Sequence, residues 1–323
     1  MTVGDDVPVP AAEIDVDVPL TRALLAEQHP DLADQPLEIV AHGWDNVMVR
    51  LGDDLAVRLP RRAVAAPLVE HEQQALPALA ARLRAAVPDV VVPVPVRVGR
   101  PSAALGYPWS WNVVPWADGV SAEATGVAAR TAWAGAFGRL LAAVHVPAPD
   151  DAPPNPVRGI PLRSRVDARE PAALEGRLTA LAPGARAAAR RVWDRALDAP
   201  EHAGPAVWLH GDPHPANLVV EPGAGTRPDR LAAVVDWGDV TSGDPASDLG
   251  SLWLCFDDEG RATCRAAVQE HVNGGRGWDD ATWARAAGWA LLYATNMLAH
   301  PELHPRLVPI GRHALAALLD GAG

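Results

Sequence analysis

Two apolar runs in this chain end in polar loops whose residues could hold and transfer a phosphoryl group. The first is Val207-Trp208-Leu209, followed by His210-Gly211-Asp212-Pro213-His214-Pro215-Ala216-Asn217 and then Leu218-Val219-Val220. The second is Leu231-Ala232-Ala233-Val234-Val235, followed by Asp236-Trp237-Gly238-Asp239. Asp212 lies in a loop that Gly211, Pro213 and Pro215 keep out of helix. Asn217 follows where an apolar run resumes, and Asp236 closes the second run. Phosphoryl transfer needs a carboxylate that orients the attacking hydroxyl and takes its proton. It also needs oxygen ligands that hold Mg²⁺ against the β- and γ-phosphates, because Mg²⁺ prefers hard oxygen donors. Asp212 suits the first task; Asn217 and Asp236 suit the second. Each of the three alone reads as a turn or strand-edge residue, and only the set in register points to this chemistry.

As a set, His210-Gly211-Asp212 with Asn217, then Val235-Asp236-Trp237-Gly238, resembles the signature of the aminoglycoside phosphotransferase family. These are small-molecule and antibiotic kinases related to the protein kinases. Gly211 stands where the kinase catalytic loop has Arg, and Asp236-Trp237-Gly238 stands in place of Asp-Phe-Gly. Gly243-Asp244-Pro245-Ala246-Ser247-Asp248-Leu249 resembles a third family segment, and the resemblance implies that Asp248 braces the catalytic loop. His210 reads as a loop anchor. It lies four residues from His214, a zinc-like spacing, but the intervening Gly and Pro forbid the helix such a pair needs.

The resemblance reaches upstream, covering about residues 37 to 300. It implies a nucleotide-phosphate loop at Gly43, Trp44, Asp45 and Asn46. It implies a phosphate-contacting base at Arg58, with Glu72 as its ion-pair partner, and a purine-receiving hinge at Pro115 and Trp116. Arg58 also reads as part of a solvated basic edge with Arg61 and Arg62, Glu70 competes with Glu72, and the hinge tryptophans could be core. Two departures from the family pattern stand out. The base is Arg rather than Lys, a planar fork rather than a point charge, and the phosphate loop has one glycine rather than three.

By the same resemblance the donor is ATP or GTP, the cofactor is Mg²⁺, and the acceptor is a small, cationic molecule such as an aminoglycoside. A macrolide, or a metabolic amino alcohol or sugar, is the alternative. Only seven residues separate Asp236 from Asp244, too few for the peptide-gripping segment of a protein kinase. Asp257, Asp258 and Glu259, with Asp279 and Asp280, form acidic clusters with two readings. They are helix N-termini stabilised by negative charge, or walls that pair with an amine-bearing acceptor. A kinase-like protein that binds ligand without chemistry is a second class of function, which the intact Asp212, Asn217 and Asp236 set argues against. A phosphatase using Asp15-Val16-Asp17 is a third, for which the required long apolar strand before the motif is missing.

The elements that must position these residues follow from periodicity. Asp17 is placed to cap a helix from about Pro19 to Gln28. Strands are expected at Leu37 to Ala41, Val47 to Leu51 and Leu55 to Leu59, then a helix at Leu68 to Ala86. Further strand candidates are Val92–Val98, which Pro93 and Pro95 confine to an edge, and Trp109–Val114. Val127 to His145 is an amphipathic helix, 147–161 a Pro-rich loop, and 170–198 helical again. Brief strands at 207–209 and 231–235 bracket the first loop, and helices fill the chain from about 247. The result is an α+β fold: a small antiparallel-sheet N-lobe over 1–115 and a larger, mainly helical C-lobe over 116–323. The family resemblance implies the bilobal protein-kinase-like arrangement of the two.

Composition restricts partners. Twenty-eight basic against 40 acidic residues give a net charge of −12, which disfavours nucleic acid and anionic membranes. Every basic residue other than His is Arg, read as compositional bias. Two cysteines are too few for a disulfide framework. Met1 to Pro10 lacks a basic segment followed by an apolar one, and no run of about 18 apolar residues occurs. A cytoplasmic location with no membrane partner is therefore expected, with the oligomeric state open.

Overall fold

A computed structural model describes residues 10–169 and 171–321. The Met1–Pro10 reading therefore falls almost wholly outside them. The chain opens with α1 (Val18–Gln28), whose first turn is capped by Asp17: its Oδ1 accepts the Leu20 N–H at 2.7 Å. That cap gives Asp17 a structural task.

Five strands then build one antiparallel sheet. They are β1 (Leu37–His42), β2 (Asn46–Leu51), β3 (Leu55–Pro60), β4 (Arg97–Gly99) and β5 (Trp111–Pro115), in spatial order β1-β2-β3-β5-β4. The alternation in β2 sets its orientation. Val47, Val49 and Leu51 are buried with Leu24 and Leu25 of α1, Val57, Leu59, Tyr107, Trp111 and Val113 in one apolar cluster. Side chains alternate across a strand, so Met48, Arg50, Arg58 and Asn112 share the opposite face, with Arg58 paired to both Met48 and Asn112. The strand expected at 92–98 shrinks to three residues. Pro93 and Pro95 have no N–H to give a ladder, and only Val91 upstream forms a parallel bridge, to Ala233.

Helix α2 (Ala66–Ala86) follows the third strand. Its Ala75, Leu76, Leu79 and Leu83 belong to the larger of the two apolar clusters, together with Trp133, Phe137, Phe256, Trp289 and other C-terminal residues. A helix N-terminal in sequence is thus half embedded in the second lobe. Burying side chains of this size is worth about 1.5–3 kcal/mol each, so α2 ties the lobes together.

The larger lobe contains α3 (Val127–Val144), α4 (Leu162–Arg169), α5 (Pro171–Thr179) and α6 (Pro183–Asp198). After these come α7 (Ala246–Leu249), α8 (Ser251–Cys255), α9 (Asp258–His271), α10 (Asp280–Ala299) and α11 (Val308–Asp320). The helical stretch expected at 170–198 is two helices, each with Pro in its first turn, where the missing N–H costs nothing. Two small sheets carry the polar loops. Strands β7 (Val207–Leu209) and β10 (Thr241–Gly243) pair, and β6 (Val120–Ser121), β8 (Leu218–Glu221) and β9 (Arg230–Val234) form the other. Two of these strands, β6 and β10, are too short to show a period. Among the described residues no helix is long and apolar enough to cross a membrane.

Candidate active site

The loop between β7 and β8 is held from beneath by one carboxylate. Asp248, fully buried on α7, accepts the backbone N–H of His210 on Oδ2 (2.8 Å) and that of Gly211 on Oδ1 (3.0 Å). His145 Nε2 donates to the same Oδ2 at 3.2 Å. Two further bonds come from His210: Nε2–H donates to the Val235 carbonyl at 3.1 Å, and Nδ1 accepts the Asp212 N–H at 3.2 Å. This pattern needs a neutral imidazole, and burial lowers the His210 pKa accordingly, against the opposing pull of Asp248. With both ring nitrogens used, and His214 Nδ1 accepting the Ala216 N–H at 3.2 Å, the two histidines form no zinc pair. Among the described residues no group of three or more His, Cys, Asp or Glu could hold a metal ion.

The loops that carry the three residues expected to do the chemistry come together. Asn217 Nδ2 donates to the Asp212 carbonyl at 2.9 Å, and the Asn217 carbonyl accepts the Val235 N–H at 2.9 Å. The first bond fixes the amide orientation and leaves Oδ1 as the outward donor atom. The second bond places Asn217 beside the strand end that carries Asp236. Asp236 has φ 60° and ψ 63°, a left-handed conformation rare for a residue with a Cβ, and its side chain is 54% exposed. Strained backbone of this kind persists where the surroundings enforce it. The donor set fits Mg²⁺, which takes one or two protein oxygens and completes its shell with phosphates and water.

From the other lobe Arg58, 7% exposed, reaches into the same space. Its Nη1 pairs with Glu72 Oε1 and its Nη2 with Asp236 Oδ1 at 2.8 Å. Glu72 is the partner rather than Glu70, whose carboxylate instead accepts a bond from Ser110 Oγ at 3.1 Å. Burial pushes the Glu72 carboxyl up to about 7, against the opposing pull of Arg58. Burial likewise disfavours the Arg58 charge, but Glu72 and Asp236 outweigh it and keep the guanidinium charged.

The loop between β1 and β2 is a tight turn in which the Gly43 N–H donates to the Asn46 carbonyl at 2.8 Å. Asp45 pairs with Arg62 at 2.9 Å, which lessens the rise that burial imposes on its pKa. The ring of Trp44 lies 4.7 Å from that of His304, so the tip of this loop touches the connection between α10 and α11. At the expected hinge, Pro115 has no N–H and the Trp116 N–H is taken by the Asp54 carbonyl at 2.8 Å. The expectation for these two residues narrows to their carbonyls and the Trp116 ring, over which Arg50 Cζ stands at 5.3 Å.

The acidic clusters have local work. Asp257 Oδ1 caps α9, accepting the Gly260 N–H at 2.9 Å, and Asp279 Oδ1 caps α10, accepting the Thr282 N–H at 2.8 Å. Asp258 pairs with Arg261 and Asp280 with Arg265, and Glu259 lies exposed in the first turn of α9. The geometry of each is that of a charge stabilising a helix N-terminus.

Three residues at the site, Arg158, Asn155 and Tyr293, are absent from the sequence reading, and Asp239 has no role in it. Arg158 Nη2 donates to Asp212 Oδ1 at 2.7 Å. Asp239 lies 3.9 Å from the same guanidinium, and Arg158 Cζ stands 5.2 Å from the centroid of the Tyr293 ring. Asn155 holds the turn: its Oδ1 accepts the Val157 and Arg158 N–H groups at 2.9 and 3.1 Å, and its Nδ2 donates to Asp239 Oδ1 at 2.8 Å. Burial alone would raise the Asp212 carboxyl, but Arg158 and then His214 outweigh it and hold it well below the usual carboxylate range. Only an Asn-x-x-x-Gly turn marks the Arg158 segment in the sequence, and that signals a turn without its neighbours.

The family model described as "Phosphotransferase enzyme family" matches residues 36–289. A search of the curated proteins finds no match. Among solved structures, the GDP and kanamycin complex of APH(2")-IIia superposes with TM-score 0.63 at 17% identity, covering 94% of this chain and 97% of that one. The GDP complex of wild-type aminoglycoside 2'-phosphotransferase-IIIa gives 0.60 at 16% identity, over 95% and 98%. The apoenzyme of macrolide 2'-phosphotransferase MphH from Brachybacterium faecium gives 0.53 at 23% identity, over 94% and 98%. At these identities the likeness is one of fold, the two-lobed kinase-like arrangement.

Proposed function

The chain belongs to the phosphotransferase enzyme family, and from that premise we propose that it moves the γ-phosphoryl group of ATP or GTP to a hydroxyl of a small molecule. The observation that carries this reading is the meeting of the two loops: Asn217 Nδ2 donates to the Asp212 carbonyl within the first, and the Asn217 carbonyl accepts the N–H of Val235, next to Asp236 in the second, both at 2.9 Å. Residues 1–115 serve as the nucleotide-binding lobe and 116–323 as the catalytic and acceptor-binding lobe. The phosphates lie against the Gly43–Asn46 loop and Arg58, with the base toward Pro115 and Trp116.

Asp212 orients the acceptor hydroxyl and takes its proton as the acceptor oxygen bonds to the γ-phosphorus. The bond from that phosphorus to its bridging oxygen breaks, and the electron pair leaves with the nucleoside diphosphate. Asn217 Oδ1 and the Asp236 carboxylate would hold Mg²⁺, which supplies neutralisation of charge on the β- and γ-phosphates. Asp248 and His210 keep the loop in place. The acceptor we favour is an aminoglycoside-like antibiotic, supported by the kanamycin-bound relative in fold. Its amines suit a chain of net charge −12, with Glu259 and the free edges of Asp258 and Asp280 as exposed carboxylates. A macrolide acceptor is the second reading, supported by the fold match to a macrolide 2'-phosphotransferase.

A coupled nucleotide-consumption assay with ATP and GTP against a panel of aminoglycosides, macrolides and amino alcohols tests the proposal. Asp212→Ala should lower turnover by about 10²–10⁴-fold, the usual worth of a positioned base, and leave nucleotide affinity within about twofold. Turnover close to wild type in that variant removes Asp212 from its role.

A further inference from the structure

The segment 153–159 belongs to no helix or strand, yet it is fastened at four points. Thr241 Oγ1 donates to the Pro153 carbonyl at 2.7 Å, and the Asp244 N–H donates to the Gly159 carbonyl at 2.8 Å. Asn155 closes the turn onto Val157 and Arg158 and reaches across to Asp239. Gly159 has φ 67°, and a Cβ there would press on Leu209 Cδ1 at 2.6 Å and the Ser242 carbonyl at 2.9 Å. The product of this fastening is one side chain: Arg158, laid on the face of Tyr293 between Asp212 and Asp239.

Burying a guanidinium costs several kcal/mol unless its donors are used. Here Nη2 serves Asp212, while Nε is buried without a hydrogen-bond partner. The Nε of Arg61 and Arg186 is likewise buried without a partner, so the orphan donor is not what sets Arg158 apart. The arrangement instead fits a need of Asp212. Its Oδ1 is locked at 2.7 Å by Arg158, and the nearest partner of Oδ2 is His214 Nε2 at 3.4 Å, long for a hydrogen bond. One oxygen is fixed and the other stays available. Without Arg158, Asp212 would lose the bond that fixes Oδ1 and keep only the longer His214 contact on Oδ2.

We propose that Arg158 is a positioning residue for phosphoryl transfer, fixing Asp212 through Oδ1 so that Oδ2 meets the acceptor hydroxyl. This rests on the reading of Asp212 as the group that receives the hydroxyl proton. Arg158 acts through Asp212 and not on the nucleotide, and that separation makes the inference testable.

The test is a double-mutant cycle in the full-length protein with R158A, D212A and the pair. Turnover is read with the donor and acceptor identified in the panel, and as ATP and GTP hydrolysis with water as acceptor. R158A should lower kcat by about 100-fold, the effect of misplacing a reacting group by about 1 Å, with KM for nucleotide within about twofold. In the D212A background the same substitution should change residual kcat by less than about twofold, the normal error of additivity. Guanidinium chloride should restore R158A at least tenfold by our expectation, roughly 1.4 kcal/mol of barrier, and leave D212A unchanged.

Three results overturn the inference: R158A with kcat within about threefold of wild type while D212A is inactive; an equal loss in both backgrounds; or a loss confined to KM for nucleotide. Near-normal turnover in D212A overturns the function assigned to Asp212 itself, a separate outcome. If R158A fails to fold, R158Q carries the same cycle, since the amide fills most of the space and cannot make the ion pair. A folded R158Q as active as wild type counts against the proposal in the same way.

Discussion

At the residue scale the site depends on a histidine that must stay uncharged. His210 Nδ1 accepts the Asp212 N–H, a bond that a protonated ring cannot make. Burial puts the folded-state pKa below the usual imidazole value of about 6.5, despite Asp248 and Asp212 nearby. The folded state therefore binds this proton less readily than the unfolded chain. The stability involved is fully present above about pH 6.5 and is lost as the pH falls through the folded-state value. Tm measured from pH 8 to pH 5 should drop more steeply for wild type than for His210→Gln, which has no imidazole to titrate. Parallel curves would show that this ring carries no such linkage. Asp212 and Asn217 stood out in the sequence because one short loop spaces them five residues apart, and Asp236 because it closes a second apolar run. Arg158 did not, because its partner is 54 residues away.

At the element scale the informative feature is a backbone conformation. Gly211 has φ 91°, and a Cβ at that position would drive into the Asp239 carbonyl. The sequence contrast with protein kinases presented Gly211 as the loss of an Arg. The structure adds that the loop after β7 approaches the loop after β9 too closely for any side chain there. Gly211→Ala should therefore destabilise the protein by about 2 kcal/mol or more, from conformational strain plus contact, and lower kcat by displacing Asp212. Urea denaturation gives the first quantity and steady-state kinetics the second. An alanine variant of unchanged stability would mean that the two loops can part freely. The helix and strand pattern that frames these loops was readable wherever a period had room to repeat, as in β2, α2 and α3. It was not readable in β6 and β10, whose two and three residues carry no period.

At the scale of the whole molecule, the lobes meet through polar contacts as well as through α2. Arg58 of β3 pairs with Asp236 after β9 at 2.8 Å, and His71 Nδ1 lies 3.4 Å from the Gly238 carbonyl. A metal-bound nucleotide would compete for Asp236 and add its own contacts to both lobes. It binds the folded state only, so at 100 times its Kd it should stabilise the protein by about 2.7 kcal/mol. Thermal unfolding with ATP or GTP, with Mg²⁺ or with EDTA, separates the two contributions. In Asp236→Asn the Mg²⁺-dependent part should be strongly reduced while the part due to nucleotide alone remains. An undiminished Mg²⁺ effect in that variant would place the metal on other residues.

The sequence by itself determined the residues of the two loops, the approximate strands and helices that carry them, and the family whose members share that pattern. All of these are local: apolar period, turn residues and short fixed spacings are set by the backbone geometry of a few neighbouring positions. Only the tertiary structure decided which of Glu70 and Glu72 meets Arg58, since both lie on one helix and its orientation against the sheet makes the choice. It also decided that Asp257 and Asp279 cap helices, that the Trp116 N–H is already committed, and that Arg158 stands against Asp212. Each of these depends on a contact between segments far apart in the chain. Charge and burial there are properties of what packs alongside, which no single stretch of sequence encodes.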